Sequence, residues 1–402
     1  MERLIKTCLN PTAEYRGLKM KIHDVTLRDG EQQANFAFRR EDKLRIAEAL
    51  VEMGVHRIEA GMPAVSAEDA RVVKELAARK CPVEVFALSR MVPDDIRACA
   101  DCGAQGVILE IPATPYLYEA LGWSLDQIIE MSIRGVQVAK ECGLYTVLFP
   151  IDGSRCDPEI FDKLVSRVAG TGNVDALAAV DTLGVLTPEG AGAWVRNLRE
   201  KHGLPIEAHF HNDFGLGTAN TLAALKNGAE TLHVTIGGVG ERAGNVSCQE
   251  VVAAAELLYD VQSGIDLSKS WQAARTLEDA AQFEFPVNKP IVGKSLFRLE
   301  TGVAASFAEK VIGTRPTVIF PFHWNVVGAP PPLRCREEER PGLAPPVLPV
   351  RRSFVHRRPP GKGFTRHQGV GQPKSTCADP SRGSRDPGRR TVRSLNGTCG
   401  DG

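Results

Sequence analysis

Apolar and polar stretches alternate along residues 20–260 in a way that predicts a repeated strand–helix unit. Apolar runs of strand length, several of them rich in β-branched residues, recur at residues 20–27, 55–60, 83–88, 106–111, 144–149, 176–180, 206–211 and 231–236. Apolar residues recur at helical spacing at residues 41–53, 66–79, 93–102, 124–142, 158–169, 188–202, 218–227 and 248–259. Eight such units in about 240 residues match a closed (β/α)8 TIM barrel, which is an α/β fold. A doubly wound open sheet is the alternative.

The positions of the charged and polar residues favour the barrel over the open sheet. These residues gather where the predicted strands end: Arg28 with Asp29, Glu110, Asp152, Asp181 with Thr182, His209 with His211, and residues 237–245. In a barrel all of these strand ends open on one face, so residues far apart in sequence converge on one pocket.

The predicted strand at 206–211 carries the clearest chemical pattern in the sequence. Glu207, His209 and His211 alternate along it, so that their side chains point to the same face. Two imidazoles about 7 Å apart along a strand can both bind one divalent ion. A single histidine would more often be a hydrogen-bonded core residue, but the pair beside an acid predicts a metal site. Mixed nitrogen and oxygen ligands are compatible with Mg²⁺, Mn²⁺ or Zn²⁺.

Composition and its changes along the chain indicate the expected partners, compartment and domain organisation. The 402 residues include 49 basic and 49 acidic ones, so we expect neither nucleic acid nor a membrane as a partner. No apolar run approaches a membrane span, the first residues do not form a signal peptide, and we expect a cytoplasmic protein. We predict a leader at 1–19, the barrel at 20–266, a helical appendage at 267–328 and a Pro/Arg-rich tail at 329–402.

The predicted tail has no periodic apolar face and cannot form a core. Two explanations remain open for it. The first is a basic tail that binds nucleic acid. The second is out-of-frame translation of a GC-rich gene. We assign no chemistry to these residues.

Three ordered motifs resemble those of a known enzyme family. They are Thr-Leu-Arg-Asp-Gly-Glu-Gln at 26–32, His-Phe-His-Asn-Asp-Phe-Gly at 209–215, and Gly-Glu-Arg-Ala-Gly-Asn at 240–245. They look like the first strand, the metal strand and the last loop of the 2-isopropylmalate synthase and homocitrate synthase family, within the DRE-TIM metallolyase superfamily that includes HMG-CoA lyase. This resemblance implies a homodimer that uses a divalent metal ion to condense acetyl-CoA with a 2-oxo acid in a Claisen-type reaction.

The resemblance, together with the strand-end positions, gives an expected role to each candidate residue. The expected metal ligands are Asp29, His209, His211 and Asn245. The expected catalytic residues are Arg28, which would stabilise the developing enolate, Thr182 and Glu207. The expected substrate-binding residues are Gln32, Glu110, Asp152, Gly240 and Arg242.

Two departures from the family pattern keep other functions open. Ile151 stands where these synthases commonly carry glutamate, and Ala304 stands where they usually carry histidine. His323 could replace that histidine, although a structural role in packing is the simpler interpretation. The alternatives are therefore a lyase or aldolase that cleaves a C–C bond, and a metal-binding protein with impaired catalysis.

Overall fold

Eight parallel strands close into a barrel in chain order in the computed structural model, which describes residues 4, 6–79, 81–299, 308 and 310–332. The strands are β1 Lys21–Asp24, β2 Arg57–Glu59, β3 Glu84–Arg90, β4 Gly106–Pro112, β5 Tyr145–Ile151, β6 Ala176–Asp181, β7 Ile206–Phe210 and β8 Ala229–Val234. β8 pairs with β1, and all four residues of β1 take part in this pairing. This closure confirms the predicted TIM barrel and excludes the open sheet.

Helices alternate with the strands and cover the outside of the barrel. They are α1 Arg40–Met53, α2 Ala67–Ala78, α3 Pro93–Asp101, α4 Pro115–Ala120, α5 Leu125–Glu141, α6 Pro158–Ala169, α7 Pro188–His202, α8 Gly217–Lys226, α9 Cys248–Tyr259 and α10 Ser270–Ala281. Side-chain caps fix several of their starts: Ser66 accepts hydrogen bonds from the first turn of α2, and Asp157 does so for α6. The short α4 was not predicted from the sequence.

The predicted first strand was too long, and the reason matters for the site. β1 ends at Asp24, whose Oδ1 accepts a hydrogen bond from the amide of Thr26 at 2.9 Å. The amides of Asp29 and Gly30 then both donate to the carbonyl oxygen of Val25, at 2.9 and 3.0 Å. These bonds fold residues 25–30 into a tight turn at the carboxyl end of β1, the face on which TIM-barrel active sites lie.

The barrel interior is divided into two halves of different chemistry. β3 to β6 contribute an apolar cluster of Phe86, Leu88, Ile108, Val147, Phe149, Ala176, Ala178 and Val180. β1, β2, β7 and β8 contribute the buried polar residues His23, Arg57, Glu59, Glu207, His209 and His233. We call this second set the charged half of the barrel; it is the half that leads up to the turn after β1.

The part of the chain beyond the barrel is described only in part. α10 packs against α1, and all described residues belong to one compact unit, Met1–Pro349. Ala304 and residues 333–402, which hold most of the predicted tail, lie outside the described residues. Within the described ranges, no helix is long and apolar enough to cross a bilayer.

Asp24 predicts a pH dependence of stability. The side chain is fully buried, its Oδ2 has no hydrogen-bond partner among the described residues, and burial raises its pKa to about 7. The folded state therefore holds a proton that the unfolded state releases between about pH 4 and pH 7. We expect the unfolding free energy of the wild type to fall with rising pH across this window, by up to about 1.4 kcal/mol per pH unit, relative to Asp24→Asn. Urea unfolding at several pH values measures this dependence. A difference in unfolding free energy between the two proteins that stays constant with pH would contradict the prediction.

Candidate metal centre

Asp29, His209 and His211 form a compact group of potential ligands, which we call the metal triplet. Asp29 comes from the turn after β1, His209 faces inward from β7, and His211 follows the end of that strand. One donor atom from each lies within 4.8 Å of the others, and Asp29 Oδ2 is 3.2 Å from His209 Nε2. Because all three are buried, one ion placed among them would be held by fixed groups.

The protonation states of the triplet suit a divalent cation. Burial lowers the pKa of His209 to about 4 and also lowers the pKa of His211, so both imidazoles are neutral near pH 7. Burial opposes ionisation of Asp29, but the Arg28 guanidinium and His209 hold its pKa well below its usual value. Two neutral imidazoles and one carboxylate are the forms that bind metal, so the residues present fit such an ion.

Asn245 lies beside the triplet on the last loop of the barrel. His211 and Asn245 form an antiparallel bridge, and Asn245 Nδ2 donates to the Val239 carbonyl oxygen at 3.2 Å. This hydrogen bond leaves Oδ1 as the side-chain atom that a cation could use. Gly240 allows the arrangement, because a Cβ at this position, with φ +149°, would lie 2.2 Å from Asn245 Nδ2.

Arg28 is fixed next to the triplet with one donor group left open. Its Nε donates to Glu59, and its Nη1 lies 3.3 Å from Asp29 Oδ2. Its Nη2 is buried and has no hydrogen-bond partner among the described residues. A buried unpaired guanidinium nitrogen is costly unless a bound molecule supplies an acceptor. Arg28 can therefore present positive charge to an oxygen of a ligand at the metal centre.

Thr182, Asp152 and Arg242 belong to a hydrogen-bonded rim around the mouth of the barrel. The Asp152 amide donates a hydrogen bond to Thr182 Oγ1 at 2.8 Å. The Asp152 carboxylate accepts hydrogen bonds from Nε and Nη2 of Arg155, at 2.8 and 2.7 Å. Arg242 donates to the carbonyl oxygen of Thr182 and to both carboxylate oxygens of Asp213. The rim thus connects the loops that follow β5, β6, β7 and β8.

The other two residues predicted to bind substrate have different surroundings. Gln32 is exposed at the end of a 3-10 helix, Gly30–Gln32, whereas its neighbour Gln33 accepts a hydrogen bond from the Gly240 amide at 3.3 Å. Glu110 is half-buried near the end of β4. Gln33, rather than Gln32, therefore connects the first loop of the barrel to the last.

The structure places Glu207 in a different cluster from the triplet. Its Oε1 accepts a hydrogen bond from Arg57 Nη1 at 2.7 Å, and its Oε2 lies 2.8 Å from His233 Nε2. The same-face alternation with His209 was correctly inferred, but two residues along a strand move the side chain one layer deeper into the barrel. These contacts favour a structural role for Glu207 over the catalytic role expected from the sequence.

His23, Glu207 and His233 also bring donor atoms within 4.8 Å of one another, but they do not make a convincing second metal site. Both oxygens of Glu207 are already engaged, and the Arg57 guanidinium supplies the positive charge that an ion would otherwise supply. A cation next to buried Arg57 would be repelled.

Sequence reasoning missed most of the charged half of the barrel. Arg57 and Glu59 alternate on β2, and His23 and His233 occupy neighbouring strands. The signal was present as ionisable residues two positions apart inside a short strand. It could not be interpreted, because one strand does not reveal which of its faces points into the barrel.

His323 lies away from the metal triplet of its own chain. It lines a cavity with Asp266 and Leu267, and its Nδ1 accepts a hydrogen bond from the Asn325 amide at 3.1 Å. The Asp266 amide in turn donates to the carbonyl oxygen of Met53, the last residue of α1, which leads into the start of β2. His323 thus lies at the amino-terminal end of the barrel, opposite the triplet.

Comparison with known proteins places this barrel in a family. Residues 19–277, more than half of the chain, match the sequence profile of the HMGL-like family. The chain belongs to the HMGL-like family. Among solved structures, an HMG-CoA lyase from Brucella melitensis superposes on this HMGL-like chain with a TM-score of 0.58 and 21% identity, over 66% of this chain and 100% of the lyase. At that identity the likeness supports the fold alone.

Curated relatives of this HMGL-like chain are named as synthases. The (R)-citramalate synthase CimA of Methanocaldococcus jannaschii is 37% identical, over 71% of this chain and 58% of that protein. The homocitrate synthase AksA of Methanothermobacter thermautotrophicus is 35% identical, over 71% of this chain and 73% of that protein. The aligned part thus spans little more than half the length of the citramalate synthase.

Proposed function

We propose that this HMGL-like protein catalyses a metal-dependent Claisen-type condensation of acetyl-CoA with a 2-oxo acid. The observation that carries the proposal is the open donor of Arg28, held beside the buried metal triplet. Relatives named as citramalate and homocitrate synthases support it. The triplet would hold the ion, with Asn245 as the fourth ligand.

The residues around the triplet have distinct roles in this reaction. A bound divalent ion supplies Lewis acidity that polarises the 2-oxo carbonyl group. Arg28 Nη2 offers fixed positive charge to the oxygen on which negative charge develops when a base accepts a proton from the acetyl methyl group. Glu59 and Asp29 hold the guanidinium in place, so little reorganisation is needed. The enolate carbon attacks the 2-oxo carbon, and the oxygen of the former carbonyl group takes up a proton. Water then hydrolyses the thioester to a carboxylate and free CoA.

The rim residues are proposed to hold the substrates above this centre. Thr182, Asp152 and Arg242 are fixed by the hydrogen bonds between loops, so each can present a polar group without further ordering. Gly240 brings backbone close to Asn245, and Gln32 lies exposed on the first loop. Glu110 points into the mouth from β4.

The decisive assay is release of free CoA by the full chain. We expect release from acetyl-CoA only when a divalent ion and a suitable 2-oxo acid are both present, to be lost with a chelator and restored by Mg²⁺, Mn²⁺ or Zn²⁺. If no CoA is released with any 2-oxo acid, although the protein holds stoichiometric metal, the proposed condensation is rejected. If cleavage of a hydroxyacyl-CoA were then observed, the same centre would be that of a lyase.

A further inference from the structure

Glu110 is the acidic group at the barrel mouth whose surroundings differ most from those of its neighbours. It lies in β4 two residues after Ile108, which faces the barrel interior, and its register partners are Arg90 on β3 and Phe149 on β5. Within the described residues its carboxyl group makes neither a hydrogen bond nor an ion pair. Burial raises the pKa of Glu110, and the Arg28 guanidinium opposes that shift. The carboxyl group is therefore unpaired among the described residues and open to a molecule bound in the mouth.

The arginines around the barrel mouth, of which Arg28 and Arg90 act on Glu110, each pair with another carboxylate. Arg28 contacts Glu59 and Asp29, and Arg90 Nε donates to Asp95 at 2.6 Å. Arg155 is paired with Asp152 at 2.7 Å, and Arg242 with Asp213 at 2.9 Å. Among these four arginines, Arg28 Nη2 is the buried nitrogen without a hydrogen-bond partner. Each of these four arginines thus has a carboxylate partner, and Arg28 has in addition a buried open donor beside the metal triplet.

Apolar side chains line the barrel interior on the β5 side of Glu110. Met62 and Ile151 pack against the apolar cluster of the barrel interior, and Phe149 belongs to it. A molecule whose carboxylate and carbonyl group bind at the metal triplet would place its tail against these residues and Glu110.

We propose that the site accepts 2-oxo acids with a small uncharged tail and rejects 2-oxo dicarboxylates, with Glu110 as the residue that enforces the choice. This inference rests on the proposed function. A second carboxylate would leave water to lie beside Glu110 and apolar side chains, where Arg28 and Arg90 already pair with other carboxylates. The discrimination thus comes from an unfavourable contact with the wrong substrate as much as from a favourable contact with the right one.

Equilibrium binding tests the inference independently of turnover. Calorimetric titration of the metal-loaded full chain would compare pyruvate, 2-oxobutanoate and 2-oxoisovalerate with 2-oxoglutarate and oxaloacetate. We expect at least one monocarboxylic acid to bind about 10-fold more tightly than either dicarboxylic acid. Glu110→Gln should shrink that ratio severalfold by strengthening dicarboxylate binding. Glu230→Gln, an exposed position at the amino-terminal end of β8, is the matched control and should leave the ratio unchanged.

A second variant keeps the test informative if Glu110→Gln folds poorly. Ile151→Lys would add a cation to the same wall and should strengthen 2-oxoglutarate binding. The inference is overturned if a dicarboxylic acid binds as tightly as the monocarboxylic acids, or if neither variant changes the ratio. If metal binds but no 2-oxo acid does, both the inference and the proposed function fail. Selective binding of monocarboxylic acids without CoA release would reject the condensation and support the inference.

Discussion

Substituting His211 with alanine is expected to abolish stoichiometric metal binding and, with it, metal-dependent CoA release, while leaving the barrel folded. His211 is the better choice of the two histidines, because it follows the end of β7. His209, in contrast, packs against Phe149 and His233 in the barrel interior, with ring centroids 4.9 and 5.4 Å away. Loss of an outer-shell partner typically costs about 10- to 100-fold in metal affinity, and loss of a ligand should cost more.

Metal content after dialysis reports loss of the ion, and the midpoint of thermal unfolding reports any loss of stability, so the two measurements separate these effects of the substitution. His202→Ala, at the end of α7, is the matched control and should retain both metal and activity. If the His211 variant kept metal with wild-type affinity, the triplet would not be the metal site.

Replacing Glu207 with glutamine is expected to lower the unfolding free energy by about 3–5 kcal/mol, because the Arg57 guanidinium would lose its buried carboxylate partner. Arg57 would retain Glu84, whose side chain is 52% exposed and compensates a buried charge poorly. Urea unfolding of Glu207→Gln, of Arg57→Met and of the double variant measures the coupling between the two residues. The double variant should recover a large part of the loss, since no unpaired charge remains.

The same variant discriminates between the two roles considered for Glu207. The structural role would be contradicted if Glu207→Gln lowered the unfolding free energy by less than about 1 kcal/mol and if the losses of the two single variants simply added in the double variant. Loss of CoA release from a protein of unchanged stability would restore the catalytic role that the sequence pattern predicted. The variant should otherwise bind metal as the wild type does.

The fold could be predicted from sequence because its signals are local. Each strand–helix unit shows its own periodicity, and the units closed into a barrel as expected. The triplet could be predicted because Asp29 follows β1 and His209 lies near the end of β7. The barrel brings the ends of these strands together. The depth of a residue inside the barrel has no such signal. Arg57 and Glu59 alternate on β2 as solvent-facing residues would, and only the closed sheet shows that they point inward.

Turn structure was the other element that sequence periodicity could not predict. Residues 25–27 continue the apolar pattern of β1, yet hydrogen bonds to Asp24 and Val25 bend the chain there. Such bonds depend on a single side chain or carbonyl group rather than on a repeat.

The division of the barrel interior into apolar and charged halves has a consequence for the order in which the chain assembles. The apolar half comes from β3 to β6, which are consecutive, so its contacts close over short stretches of chain. The charged half joins the two ends of the sheet, and Arg57 and Glu207 are 150 residues apart. Since distant contacts require the costlier loop closure, we expect the apolar half to collapse first. The ionisable residues then remain hydrated until β8 meets β1, and the cost of removing their water falls on the last step of folding.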